Sequence, residues 1–197
     1  MQTAYLPGAM STISWVILVV VAVIVVVGLA LIATYNRLVA ARNRLANAYS
    51  QIDVQLKRRY DLIPNLVETV RGYAAHEKET LERVIQARRQ AIAATGVAEQ
   101  AAAENLLTGA LRQLFALSES YPNLKANQHF TQLQNELAGT ENQISFARQF
   151  YNNTVEYFNT AVQRFPTVLI AGLLGFSAAE FFEMEDAAER QPVKVKF

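Results

Sequence analysis

The stretch ISWVILVVVAVIVVVGLALIAT, from Ile13 to Thr34, contains 22 residues and no charged side chain. A helix rises about 1.5 Å per residue, so this stretch is about 33 Å long and matches the hydrocarbon core of a bilayer, which is about 30 Å thick. A signal peptide has a shorter apolar run, of about 7–15 residues, behind a positively charged start. The stretch therefore predicts a transmembrane helix over residues 13–34.

Charge is distributed unequally on the two sides of this span. Residues 1–12 carry no charged side chain, whereas residues 35–60 carry a single acid, Asp53, and six basic residues: Arg37, Arg42, Arg44, Lys57, Arg58 and Arg59. Because basic residues favour the cytoplasmic side, we expect a short extracytoplasmic segment over residues 1–12 and a cytoplasmic domain after residue 34. Membrane lipids are expected partners, and Arg37, Arg42 and Arg44 are candidate headgroup contacts as well as topology signals.

The chain beyond the span has the pattern of an all-α protein. Apolar residues recur every seven positions in two rows that share one helix face: Leu38, Leu45 and Ile52, and Tyr49, Leu56, Ile63 and Val70. These rows predict that the transmembrane helix continues as a long stalk or coiled-coil seam. Pro64 has no amide hydrogen to donate within a helix, so we expect a kink or a restart near Tyr60–Ile63.

Two further helices are predicted, over residues 98–118 and 124–165, with a turn at Ser120–Asn123 between them and Pro166 as the terminator. The cytoplasmic part over residues 35–166 is therefore predicted to be a long antiparallel helical bundle. Residues 167–197 form an apolar run, too short to cross a bilayer, and a C-terminal tail. Phe176, Phe181 and Phe182 in this region are candidate contacts with a neighbouring subunit.

Composition argues against several classes of function. There is no cysteine, and the two histidines are His76 and His129. His76-Glu77 begins like a zinc-protease motif, but position 80, where the second imidazole is needed, is a threonine. The formal net charge of +1 is too small for nucleic-acid binding. We therefore expect no catalytic residue, no cofactor, no metal site and no nucleic-acid partner.

The densest polar cluster is a candidate interaction surface on the predicted stalk: Asp53, Lys57, Arg58, Arg59, Asp61, Asn65 and Glu68. The alternative is an intramolecular network with charged residues of the third helix, for example Lys125, Glu136, Glu141 and Arg148. That third helix is also rich in asparagine and glutamine. This amide-rich face is either buried against polar neighbours, such as copies of the same chain, or solvated.

The blocks Gln51–Glu77, Tyr121–Asn127 and Ala147–Asn152, with Phe165-Pro166, Gly175-Phe176 and Phe181-Phe182, resemble the LemA family. The resemblance implies a bacterial membrane-anchored helical protein with its short N-terminus outside. It brings no catalytic residue, no cofactor and no agreed molecular role. Family genes near those of membrane proteases hint at envelope upkeep, and relatives in magnetosome-forming bacteria suggest membrane organisation.

Two functional hypotheses remain open at this point. The first is a non-enzymatic scaffold that self-assembles as a homo-oligomer on the cytoplasmic face of the bacterial inner membrane. Such a scaffold would organise membrane or recruit envelope proteins. The second is an adaptor or regulator of a membrane protease that acts as a monomer or dimer through the Asp53–Glu68 cluster. A hydrolase that uses Asp53, Asp61 or Glu68 is a third, weaker alternative.

Overall fold

The structure of the chain, a computed structural model, describes residues 12–183 and contains six α-helices and no strand in that range. The prediction of an all-α fold is confirmed. The helices are α1 (Thr12–Tyr73), α2 (Lys78–Ala93), α3 (Val97–Ser118), α4 (Pro122–Lys125), α5 (Gln128–Gln163) and α6 (Val168–Ala171). Residues 1–11 of the predicted extracytoplasmic segment and residues 184–197 of the predicted tail lie outside the described residues.

Helix α1 is continuous over 62 residues and contains both the apolar stretch and the first helix of the bundle. At about 1.5 Å per residue it is about 90 Å long. It is the one described helix that is long and apolar enough to cross a membrane, and the apolar part is not buried within the chain. Beyond this part the predicted heptad rows face the core, where Ile52 and Ile63 are fully buried, while Arg44 and Arg58 on the far side are exposed.

The predicted helix restart near Pro64 does not occur, because α1 continues through Pro64 and ends at Tyr73. A proline cannot donate to the carbonyl four residues earlier, which here belongs to Tyr60. Arg88 of α2 replaces the missing donor, since its Nε donates a 2.7 Å hydrogen bond to the Tyr60 carbonyl. The partly buried carbonyl that proline leaves without a backbone donor therefore accepts a hydrogen bond from a side chain of another helix.

Helix α5 lies antiparallel to α1 and packs along the part of α1 that follows the span. Buried residues of the two helices share three clusters, which in order from the span are Leu38 with Phe158, Ile52 with Ile144, and Val70 with Phe130. The residue numbers rise along α1 as they fall along α5, which defines the antiparallel register. The C-terminal end of α5 consequently lies next to the end of the predicted span.

A third layer covers one side of the α1/α5 pair, and it is built from different elements at the two ends of the pair. Far from the span, the layer is the α2/α3 hairpin, which buries Val84, Leu107 and Leu114. Nearer the span, the layer is the chain that follows α6, which buries Phe176 and Phe182. We call these two halves the distal half and the membrane-proximal half.

The chain reverses direction after α6 at Gly175, which has a φ of +74°. The amide of Phe176 donates to the carbonyl of Ala171 at 2.9 Å, as in a Schellman turn, where glycine avoids the strain of positive φ. Residues 176–183 then run back along α5, away from the span. The part of the predicted tail that the structure describes is therefore packed on the bundle.

Candidate functional site

Three buried charged side chains meet where α1, α3 and α5 converge: Arg59, Glu104 and Arg148. The Glu104 carboxylate is inaccessible to solvent, and Arg59 is only 3% exposed. Arg59 Nη1 lies 2.8 Å from Glu104 Oε2, and Arg148 Nη2 lies 4.0 Å from the same oxygen. Arg59 Nη2 lies 3.0 Å from Glu141 Oε2 at the rim, so two guanidinium groups balance two carboxylates. We call this group the Glu104 network.

Neutral polar groups complete the Glu104 network. The Tyr60 hydroxyl donates to Glu104 Oε1, and Gln100 Nε2 donates to the Tyr60 oxygen at 2.9 Å. Arg59 Nη2 also donates to the Thr108 hydroxyl at 2.9 Å. Burial, and then the hydrogen bond to Glu104, raise the pKa of Tyr60 well above its ordinary value of 10.0. Tyr60 therefore stays protonated, and remains a hydrogen-bond donor, even in alkaline solution near its ordinary pKa.

Arg148 approaches the Glu104 network from α5 and also contacts the membrane-proximal half. Its guanidinium carbon lies 4.6 Å from the centre of the Phe182 ring, within the range of a cation–π interaction. Burial is the largest influence on Arg148 and lowers the pKa of its guanidinium, while Glu104 and Glu141 oppose this effect. Arg148 thus joins the ion pairs of the distal half to the C-terminal segment.

The Glu104 network is suited to fixing helix register rather than to chemistry on a substrate. Glu104 is fully buried, so no substrate reaches its carboxylate in this conformation. Buried ion pairs contribute little net stability but are costly to break, which favours one arrangement of the three helices. Within residues 12–183, no three His, Asp or Glu side chains are placed to hold a metal ion.

The prediction that Arg59 belongs to the interaction surface is wrong, because its guanidinium is buried and paired with Glu104. Arg148 contacts Glu104 of α3 instead of a residue of that surface. The alternative of an intramolecular network is right for Glu141, which pairs with Arg59. It is wrong for Lys125, which pairs with Glu119 near the end of α3. Glu104 was not predicted, although its spacing from Ala101 and Leu107 places this acid on the apolar face of α3. An acid on such a face needs a buried cationic partner.

The other six residues of the predicted surface are exposed along α1: Asp53, Lys57, Arg58, Asp61, Asn65 and Glu68. Lys57 Nζ lies 3.2 Å from Asp61 Oδ2 in a solvent-exposed pair one helical turn apart. Partial burial raises the pKa of Asp53. Arg58, Asp61, Asn65 and Glu68 follow one another at intervals of three or four residues, so they form a polar stripe along one face of α1.

An exposed apolar groove lies between α1 and α5 on the side that the third layer leaves open. It has a volume of about 480 Å³ and is lined by Ser50, Gln51, Val54, Gln55, Gln143, Phe146, Ala147 and Phe150. Phe146 is 66% exposed and Val54 is 64% exposed. No charged side chain lines this groove, which we call the lateral groove. Phe150 and Tyr151 are neighbours in the sequence, but Tyr151 is buried in the core whereas Phe150 is exposed at this groove.

Two asparagines of α5 hold the C-terminal segment through its backbone. Asn152 Nδ2 donates to the Phe182 carbonyl at 3.1 Å, and Asn152 Oδ1 accepts from the Phe182 amide at 2.8 Å. Asn159 makes the same pair of bonds to Ala179, at 2.9 and 2.7 Å. The two asparagines lie two helical turns apart, so they bind the segment at two points. Part of the amide-rich face is therefore buried against the chain itself.

The predicted subunit contacts Phe176 and Phe182 are also corrected by the structure. Both rings are buried within their own chain, where Phe176 packs with Leu38 and Phe182 packs with Ile52. The physical reason is that the turn at Gly175 folds the segment back onto α5. Phe181 is 43% exposed and lines a separate groove against α3.

The predicted headgroup contacts Arg37, Arg42 and Arg44 are exposed and lie within the first turns after the span. The guanidinium carbon of Arg42 lies 5.2 Å from the centre of the Phe176 ring. The Tyr35 ring also meets Phe176, with ring centres 5.9 Å apart in an edge-on arrangement. The C-terminal segment is therefore attached to α1 directly beside the end of the span.

An apolar helix that continues into an antiparallel bundle defines a membrane-associated helical protein. The LemA family model matches residues 48–197, and the chain belongs to the LemA family. Protein LemA of Metamycoplasma hominis is 28% identical over 155 residues, which cover 77% of this chain and 69% of that protein. Magnetosome protein MamQ of Magnetospirillum gryphiswaldense is 23% identical over 185 residues, covering 81% and 68% respectively. Magnetosome protein MamQ 2 of Paramagnetospirillum magneticum is 24% identical over the same shares.

Proposed function

We propose that this protein is a non-enzymatic scaffold whose copies assemble side by side on a bacterial inner membrane. In this proposal α1 crosses the membrane once, with the N-terminus outside and the bundle in the cytoplasm. The assembly organises the membrane or recruits envelope proteins to it. The observation that carries the proposal is the lateral groove, which exposes Val54, Phe146 and Phe150 next to an anchored helix.

A second copy of the same chain is the occupant that fits the lateral groove best. Copies anchored by α1 stand parallel in one membrane, so the α1/α5 faces of neighbours meet at the same height. The groove is lined by amides and apolar side chains without charge, so two such faces do not repel each other. The open face of two helices over residues 35–73 has an area on the order of 1,000 Å², compared with about 800 Å² per partner in a stable interface.

The comparisons support a role at a membrane but do not identify a partner. Two of the similar proteins are named magnetosome proteins. By analogy with them, we propose that this chain organises membrane. The excess of basic residues after the span supports the proposed orientation. Glu104 is buried and paired with Arg59, so this acid is not accessible to a substrate in the structure.

The mass of the full-length protein in lipid nanodiscs and in mild detergent tests the scaffold. We expect the wild type to form a uniform assembly of two or more copies through the lateral groove. Phe146→Glu should reduce it to monomers, because a charge on each copy would be buried at the shared face. Leu106→Glu is the matched control, since Leu106 is similarly exposed but lies on α3. A monomeric wild type, or equal masses for both variants, would contradict the proposal.

The adaptor of a membrane protease remains the second candidate, and one observation favours it. The polar stripe of Arg58, Asp61, Asn65 and Glu68 is exposed and is not covered by another described helix. If the stripe binds a protease, Arg58→Glu should remove the protease from the purified membrane complex and leave the fold intact. Arg112→Glu, on the exposed face of α3, is the control and should retain it. Equal recovery of the protease with both variants would rule out the stripe as its binding site.

A further inference from the structure

We infer that residues 165–174 form a second contact with the membrane, in the interfacial layer beside the span of α1. This inference goes beyond self-assembly and does not depend on it. It depends only on α1 crossing a bilayer. We call residues 165–174 the interfacial loop.

The interfacial loop exposes more apolar surface than a soluble domain normally leaves in water. Leu173 is 87% exposed, Phe165 is 75% exposed and Leu169 is 67% exposed. No charged side chain occurs between Phe165 and Ala179. A contiguous patch of this kind marks a surface that another apolar phase covers.

The position of the loop identifies that apolar phase as lipid. Ala171 and Phe176 pack in one buried cluster with Leu38 and Ala41, and the Phe176 ring meets Tyr35. Tyr35 directly follows the predicted span, and Leu38 is only about 4.5 Å further along the helix axis. The loop is therefore held at the level where the bilayer ends, and a membrane that surrounds the span also reaches the loop.

Backbone amides and carbonyls of the interfacial loop are paired in hydrogen bonds, which suits a medium that is poor in water. The amide of Val168 donates to the Arg164 carbonyl at 2.9 Å, and the amide of Leu174 donates to the Ile170 carbonyl at 3.0 Å. The Schellman turn at Gly175 satisfies the Ala171 carbonyl. Unpaired backbone groups are costly in lipid, and this hydrogen bonding lowers that cost. Arg164 directly precedes the loop and Arg42 contacts the Phe176 ring that follows it, so two exposed cations are available to lipid phosphates.

Fluorescence quenching in vesicles tests the contact with the full-length protein. The chain has no cysteine, so a single Leu173→Cys variant can carry one environment-sensitive dye. Leu31→Cys, in the span, is the lipid control, and the exposed Thr131→Cys, at the far end of α5, is the water control. In vesicles of phosphatidylethanolamine and phosphatidylglycerol with spin-labelled lipid, we expect the labels at Leu173 and Leu31 to lose fluorescence and the label at Thr131 to keep it.

Aqueous iodide then separates lipid from the other environments. Iodide should quench the label at Thr131 and leave the label at Leu173 bright. Quenching of the Leu173 label by iodide alone would show an aqueous loop and overturn the inference. Protection from both quenchers would show that a second copy of the chain covers the loop, which also overturns it. If the Leu31 label escapes spin-labelled lipid, anchoring itself fails, and this result is distinguishable from failure at the loop alone.

Discussion

The distal and membrane-proximal halves of the bundle cover the same helix pair by different means. In the distal half a helical hairpin packs on α1 and α5 through aliphatic side chains, and the Glu104 network lies at its inner edge. In the membrane-proximal half an extended segment fills the same position, with Phe176 and Phe182 as its buried side chains. Only the second half needs asparagine side chains along α5.

The difference follows from where each covering element finds its backbone hydrogen bonds. A helix satisfies its own amides and carbonyls, so α2 and α3 need only present apolar side chains to the core. An extended segment has no such internal bonds, and a helix has no free backbone groups to offer it. Asn152 and Asn159 supply both a donor and an acceptor to the segment, as a neighbouring strand would in a sheet.

The largest effect is expected from Glu104→Ala in the distal half. This change leaves Arg59 and Arg148 buried without their shared carboxylate, which costs about 3–5 kcal/mol of unfolding free energy. Denaturant unfolding of the detergent-solubilised protein, followed by circular dichroism, measures the loss. Lys57→Ala, which breaks an exposed pair, is the control and should cost less than about 1 kcal/mol. Similar losses for the two variants would show that the Glu104 network is not what holds the distal half.

A smaller loss is expected from Arg88→Ala, because the Tyr60 carbonyl then has no donor. An unsatisfied buried carbonyl costs about 1–3 kcal/mol, and this carbonyl is partly buried, so we expect a loss near the lower end of that range. The same unfolding measurement on Pro64→Ala and on the double variant completes a mutant cycle. Alanine at position 64 restores an amide that can donate to Tyr60, so Arg88→Ala should be less destabilising in that background. Strictly additive losses would mean that Arg88 acts elsewhere.

A local loss is expected from Asn152→Ala in the membrane-proximal half. Two hydrogen bonds to Phe182 disappear, at about 1 kcal/mol each, and the segment can detach without unfolding α1 or α5. Hydrogen exchange should therefore accelerate at Phe182 and Ala179 while the distal helices keep their protection. Asn153→Ala is the matched control, because Asn153 is exposed. Faster exchange throughout the bundle would contradict the separation of the two halves.

The smallest effect is a pH dependence that begins above pH 10. The pKa of Tyr60 is raised in the folded protein, so the contribution of its neutral hydroxyl is complete below the ordinary value of 10.0 and is lost as the pH rises above it. Tyr60→Phe should make the fall in unfolding free energy shallower by up to about 1.4 kcal/mol per pH unit. Unfolding titrations between pH 9 and pH 11 check this. An unchanged slope would place Tyr60 outside the coupled network.

Much of this architecture was predictable because it depends on local pattern. The apolar stretch, the heptad rows on α1 and the solvated side with Arg44 and Arg58 all follow from periodicity along one helix. The course of the chain at Pro64 was not predictable, because Arg88 lies on another helix and no local pattern connects it to the Tyr60 carbonyl. The burial of Arg59 was not predictable for the same reason, since it depends on Glu104, an acid in α3.

The sequence by itself determined that the chain has one apolar helix long enough for a bilayer and that the rest folds as an α-helical bundle. Both depend on residues within a few turns of one another, where length and periodicity decide the outcome. The tertiary structure decided which polar residues are buried and where the C-terminal segment packs. Asn152 and Asn159 reach the segment only because the chain reverses at Gly175, and Arg59 meets Glu104 only because α1 and α3 pack together. Such pairings are settled by the packing of elements that are distant in the chain.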